Sequence, residues 1–219
     1  MRLLQAKMTH TASPRISPDE ARDGRQAQRT SFPKLVLEAR HVTGAQLLPD
    51  RLALLDHLPK GGVAAEVGAA SGGFTAEILR RTSPSKLHLV DAWASARCAG
   101  DDAILRESFA AEIAEGRVEL NKGRSTDVLG SFGSETFDRV YIDTGHTYAT
   151  TAEELALCAA AMKPGGLIVG HDFCTGNIVT PVLYGTIPAV NEFCVARDWH
   201  YVYLTLEYHG HFSFCITPI

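Results

Sequence analysis

The chain has 219 residues, with 21 Lys and Arg against 25 Asp and Glu, a net charge of −4, and 45% apolar and 21% charged residues. These are globular proportions, and they exclude a collagen-like chain, a wholly disordered one and a strongly basic nucleic-acid binder. The longest apolar run, Leu155 to Met162, is far short of the roughly 18 residues of a membrane span.

No early segment joins a charged start to a long apolar stretch, so neither a secretory signal nor a membrane anchor is expected, and the cytoplasm is the expected location. Cysteines stand at 98, 158, 174, 194 and 215, an odd number with no C-x-x-C spacing. That pattern argues against a disulfide framework and against a zinc ribbon, and reads as free thiols in a reducing compartment.

Residues 1–31 set Arg2, Lys7, Arg15, Arg22, Arg25 and Arg29 against Asp19, Glu20 and Asp23, with few large apolar residues. Pro14 and Pro18 interrupt helical runs, so the segment reads as a disordered arm, available for exchange in a homo-oligomer. Residues 32–61 read as a helical lead-in. Leu48, Leu52, Leu55 and Leu58 recur at helical spacing, and Pro49 and Asp50 suit a helix start.

Residues 62–219 alternate. Strands are expected at Gly62–Gly68, Lys86–Asp91, Val118–Leu120, Phe137–Asp143 and Leu167–Val169. Helices are expected at Gly72–Thr82, Asp101–Glu115, Ser125–Gly133 and Thr151–Met162, with a turn at Pro164-Gly165-Gly166. Such alternation makes an α/β, doubly wound, mostly parallel sheet with crossover helices. The end departs from it. After a helix from Pro188 to about Arg197, the strand-like runs Tyr201–Leu206 and Phe212–Thr217 are joined by a loop too short for a parallel crossover, so an antiparallel hairpin closes the chain.

Ligands of such sheets bind beyond the carboxyl ends of the strands. The loop Glu66-Val67-Gly68-Ala69-Ala70-Ser71-Gly72 leaves the first strand, and Asp91 ends the second, 23 residues after Gly68. A carboxylate there suits the two hydroxyls of an adenosine ribose. A dinucleotide is one candidate, although Ala70 replaces the middle glycine of G-x-G-x-x-G that admits a pyrophosphate. S-adenosylmethionine, which has no phosphate, is the other, with Glu66 near its ammonium.

A second constellation follows strands four and five. Asp143, His171 and Asp172 share a rim where carboxylates repel unless a cation or proton intervenes. Asp143 and Asp172 suit Mg²⁺, and His171 as a third ligand suits a softer divalent ion better. His146, three residues after Asp143, has the chemistry of a general base.

The stretches Tyr141-Ile-Asp-Thr-Gly-His-Thr-Tyr148 and Met162-Lys-Pro-Gly-Gly-Leu-Ile-Val-Gly-His-Asp-Phe173 resemble class I S-adenosylmethionine-dependent methyltransferases. Within these they are similar to the small-molecule O-methyltransferase group that includes the macrocin and mycinamicin sugar methyltransferases. The resemblance runs from about Gly62 onward and implies a Rossmann-like, seven-stranded sheet with a reversed last strand. It implies cofactor contacts at Glu66, Gly68, Ala70, Gly72, Asp91, Trp93, Ser125 and Asp143. It further implies Mg²⁺ or another divalent ion on Asp143, His171 and Asp172, and His146 as base. The expected partner is a small-molecule acceptor, not nucleic acid or a membrane. An iron-dependent hydroxylase of the cephalosporin type, an NAD-dependent oxidoreductase and a non-catalytic cofactor-binding protein are the alternatives.

Overall fold

A computed structural model describes residues 17–95, 98–179 and 181–219. The chain divides into two units, Met1–Ser31 and Phe32–Ile219. In the first, Pro18–Ser31 forms helix α1, with no residue buried. This differs from the disorder expected over these residues. Pro18 takes the first helical position, where its missing N–H is not needed. Ser17 and Glu20 cap the helix reciprocally: the Glu20 N–H donates to Ser17 Oγ at 3.2 Å, and the Ser17 N–H donates to the Glu20 carboxylate at 2.8 Å. Residues 1–16 of the expected arm lie outside the described residues.

The second unit holds β1 (Gln46–Leu48), α2 (Arg51–His57), β2 (Val63–Val67), α3 (Gly73–Thr82), β3 (Lys86–Asp91), α4 (Asp101–Ser108), α5 (Ala110–Ala114) and β4 (Val118–Lys122). Then follow α6 (Ser125–Leu129), β5 (Phe137–Ile142), α7 (Tyr148–Ala161), β6 (Met162–Gly170), β7 (Gly176–Asn177), β8 (Val182–Leu183), α8 (Thr186–Arg197), β9 (Trp199–Thr205) and β10 (Phe214–Pro218). The main sheet has eight strands in the order β1-β9-β10-β6-β5-β2-β3-β4. Every neighbouring pair is parallel except those of β10, which runs antiparallel to both β6 and β9.

The expected hairpin is thus β9–β10. The eighth strand, β1, comes from the lead-in segment read as helical, where Leu48 pairs in the sheet instead of starting a helix. The helix proper begins after Asp50, whose Oδ1 accepts the N–H groups of Leu52 and Ala53 at 2.9 and 2.8 Å.

Strand alternation sorts the core into two faces. Ala65, Val67, Val140, Ile142 and Ile168 pack with Leu155 and Cys158 of α7 and with Val190 and Phe193 of α8. Their neighbours Ala64, Tyr141 and Val169 pack with Leu54 and Leu55 of α2, Ile78 of α3 and Leu105 of α4. Each large aliphatic chain so enclosed contributes roughly 1.5–3 kcal/mol.

Two further details differ from expectation. The expected single helix over 101–115 breaks at Phe109, whose backbone (φ −117°, ψ 28°) leaves the helical region. The turn at Pro164 is a bulge inside β6, where Phe137 pairs with Met162 but Arg139 pairs with Leu167. Among the described residues, no helix is long and apolar enough to cross a membrane.

Candidate functional site

Parallel strands deliver their following loops to one edge of the sheet. The loops after β2, β3, β5 and β6 therefore meet there. Because β9 runs parallel to β6, the β9–β10 loop arrives at the same edge.

A cleft of about 680 Å³ opens at this edge. Gly68, Ala70, Asp91, Ser125 and Asp143 all line it, together with Arg124, Thr126, Thr150 and Glu153. Gly68 has φ +96°, and a Cβ there would stand 2.0 Å from the Asp143 carbonyl oxygen. Only glycine lets β2 and β5 end this close together. The loop above is held by Asp91, whose two carboxylate oxygens accept the N–H groups of Ala70 at 3.0 Å and Trp93 at 2.8 Å. The Trp93 Nε1–H returns a bond to the Ala70 carbonyl at 2.9 Å. Ala70 and Trp93 both sit at φ +44°, a left-handed conformation held by these mutual bonds.

Three expected cofactor contacts stand elsewhere. Trp93 is 4% exposed and packs into the core beneath the loop, not on the cleft wall. Gly72, at φ +86°, gives room to Leu105, whose methyl carbon a Cβ would meet at 2.4 Å. Glu66 is buried and accepts a hydrogen bond from the Thr75 hydroxyl. Burial, followed by the negative charge of Asp143, pushes its carboxyl up to about 8. Its side chain is sealed below the cleft because the fourth residue of β2 faces the core, a direction that spacing alone does not reveal.

The expected metal trio does not assemble. Asp143 has the Arg51 guanidinium at 3.6 Å, and that guanidinium also lies 4.5 Å over the Phe74 ring. His171 Nδ1 is 2.9 Å from Ser213 Oγ, and burial, then the charge of Arg51, pushes the imidazole down to about 4. Asp172 lies between two imidazoles: His146 Nε2 stands 3.1 Å from Oδ2, and His211 Nδ1 contacts Oδ1. Among the described residues, one set of three such side chains converges, and it is Asp172, Cys174 and His211. A three-donor set on Asp143, His171 and Asp172 is thus not among the converging sets of the described residues.

His146 and Asp172 do come together. The Tyr184 ring lies 4.3 Å from the His146 ring, at an interplanar angle of 36°. Tyr184 comes from the 174–187 segment, which carries the two-stranded ribbon β7–β8. Gly185 lets this segment close on α7: its N–H donates to the His146 carbonyl at 2.7 Å, and a Cβ would meet the Tyr148 nitrogen at 2.2 Å. Arg51, Cys174 and His211 were not among the expected site residues. Arg51 carried a positional signal, the first residue after the Asp50 cap, but its direction toward Asp143 needs the fold.

Residues 65–173 match a protein-family model described as a methyltransferase domain. No curated protein matches the chain. Among solved structures, the chain is similar to the 1,6-didemethyltoxoflavin-N1-methyltransferase of Burkholderia thailandensis, whose structure holds 1,6-didemethyltoxoflavin and S-adenosylhomocysteine. The TM-score is 0.57 at 18% identity, covering 95% of this chain and 93% of that one. The m1A22 tRNA methyltransferase TrmK of B. subtilis matches with TM-score 0.56 at 11% identity, covering 78% and 66%. An O-methyltransferase family protein of Burkholderia thailandensis matches with TM-score 0.53 at 14% identity, covering 77% and 55%. These likenesses establish the shared fold.

Proposed function

We propose that this chain, with its match to a methyltransferase domain over residues 65–173, is an S-adenosylmethionine-dependent methyltransferase acting on a hydroxyl of a small molecule. The observation that carries the cofactor reading is the charge of the cleft. Among the described residues, its lining sets Asp91, Asp143 and Glu153 against the cation Arg124. An acidic wall suits a ligand bearing a sulfonium and an ammonium, and repels the pyrophosphate of a dinucleotide. Ala70 in place of a glycine works in the same direction.

Asp91 would take the ribose hydroxyls, with its carboxylate already oriented by the Ala70 and Trp93 amides. Ser125 and Thr126, at the start of α6, would flank the base, and Asp143 would face the ammonium. When bound, S-adenosylmethionine supplies an activated methyl group. The chain's own task is to align an acceptor oxygen and take its proton. His146 does the latter: Asp172 at 3.1 Å orients the ring and stabilises the imidazolium that proton uptake creates. Tyr184, whose ring packs at a tilt against His146, covers that side of the imidazole.

The test has two arms. S-adenosylhomocysteine at about 100 times its Kd should stabilise the protein by about 2.7 kcal/mol, a Tm rise of roughly 5–10 °C, while NAD⁺ should not. His146→Ala should lower kcat about a hundredfold and leave the Kd for S-adenosylhomocysteine unchanged. A Tm rise with NAD⁺ alone would defeat the cofactor reading, and undiminished turnover in the variant would defeat the base.

A further inference from the structure

Asp172, Cys174 and His211 bring one donor atom each within 4.8 Å of one another. None of the three lines the cofactor cleft. Two chain segments build the set. Asp172 and Cys174 flank Phe173, His211 precedes Phe212, and the Phe173 N–H donates to the Phe212 carbonyl at 2.9 Å. That bond extends the β6–β10 ladder and fixes the β9–β10 loop opposite the end of β6.

The contacts converge on one atom. Cys174 Sγ lies 3.8 Å from His211 Nδ1, and the same nitrogen contacts Asp172 Oδ1. A Cys–His–Asp relay for nucleophilic catalysis needs two ring nitrogens, one toward sulfur and one toward the carboxylate. Here the sulfur and the carboxylate share a single nitrogen. The Cys174 thiol has a second contact, donating to the Gly176 carbonyl at 3.7 Å, and loss of that proton leaves a thiolate for a cation held among the three.

We infer that Asp172, Cys174 and His211 bind one thiophilic divalent ion of the Zn²⁺ type. A thiolate, an imidazole and a carboxylate are borderline-to-soft ligands that suit Zn²⁺ and not Mg²⁺. With Zn–S near 2.3 Å and Zn–N near 2.0 Å, a tetrahedral site has a sulfur–nitrogen edge of about 3.5 Å, close to the 3.8 Å found between Cys174 and His211. Three protein ligands leave a fourth position open, the pattern of reactive zinc centres. The second oxygen of Asp172 meets His146 at 3.1 Å, so the ion and the proposed base share one carboxylate.

The 219-residue protein, stripped with a chelator and dialysed, is titrated with Co²⁺ and then Zn²⁺, without cofactor or acceptor. The expected result is one equivalent of Co²⁺ with a thiolate-to-cobalt charge-transfer band in the near ultraviolet, displaced by Zn²⁺. Cys174→Ser should abolish the band, His211→Ala should weaken Zn²⁺ binding about tenfold or more, and His57→Ala should change neither. A wild-type protein that binds neither ion, a Co²⁺ spectrum without the thiolate band, or a band that survives Cys174→Ser overturns the inference. The wild-type titration decides by itself, whatever the stability of the variants. Because no cofactor is present, failure here leaves the methyltransferase reading standing, and failure to bind S-adenosylhomocysteine leaves the ion site standing.

Discussion

Glu66 offers a stability experiment whose sign and size follow from its burial. The carboxyl is sealed in the core with the Thr75 hydroxyl as donor, and its pKa is pushed from 4.5 up to about 8. In the unfolded chain it ionises near 4.5, so between pH 4.5 and 8 the folded state holds a proton that the unfolded state has lost. Stability from this group is full below 4.5 and declines as pH rises toward 8. At about 1.36 kcal/mol per pH unit, the decline between pH 5 and pH 8 is on the order of 3 kcal/mol. Glu66→Gln keeps the shape and an acceptor for Thr75 but cannot ionise. Urea unfolding of both proteins at pH 5, 6, 7 and 8 isolates the group, because every other titration cancels in the difference. The variant should gain on the wild type by about 3 kcal/mol from pH 5 to pH 8. A difference that stays flat across that range would refute the reasoning.

Three other outcomes follow from the same geometry. Gly68→Ala places a methyl 2.0 Å from the Asp143 carbonyl at φ +96°, so the variant should lose more than about 3 kcal/mol in thermal unfolding or fail to accumulate folded. Trp93→Phe removes the indole bond to the Ala70 carbonyl; a loss of about 1 kcal/mol and a weaker Kd for S-adenosylhomocysteine by calorimetry are expected. Gly185→Ala sets a methyl 2.2 Å from the Tyr148 nitrogen, displacing the segment that carries Tyr184, so KM for the acceptor should rise while the Kd for S-adenosylhomocysteine holds.

Much of the sheet was legible because its central strands are short apolar runs that stand between helical segments, and Lys86–Asp91 was bounded to the residue. The strand β1 was not legible: three residues at an edge carry no period, and Leu48 fitted a helical series equally well. Pro18 was read as a breaker where it is an initiator, although Ser17 and Glu20 spelled the cap. At the site, the positions of Asp91 and Asp143 were legible from strand ends. The set of three donors that does converge was not legible. Arg51, from a helix preceding the first core strand, approaches Asp143 to 3.6 Å, and Asp172 meets His211 from a loop 39 residues downstream. Cys174 and His211 carry no spacing motif, since β10, antiparallel between β6 and β9, is what brings their loops together.

The acid lining of the cleft also bears on turnover. On the proposed function, each reaction cycle removes one positive charge from the bound cofactor when the sulfonium becomes a thioether. Asp91, Asp143 and Glu153 therefore hold the incoming form more tightly than the spent one, and the wall that recruits the cofactor also helps to expel what remains of it. Such discrimination is electrostatic and fades as added salt shortens the Debye length from about 10 Å at 0.1 M to about 3 Å at 1 M. Inhibition by spent cofactor should accordingly deepen, relative to KM for fresh cofactor, as ionic strength rises.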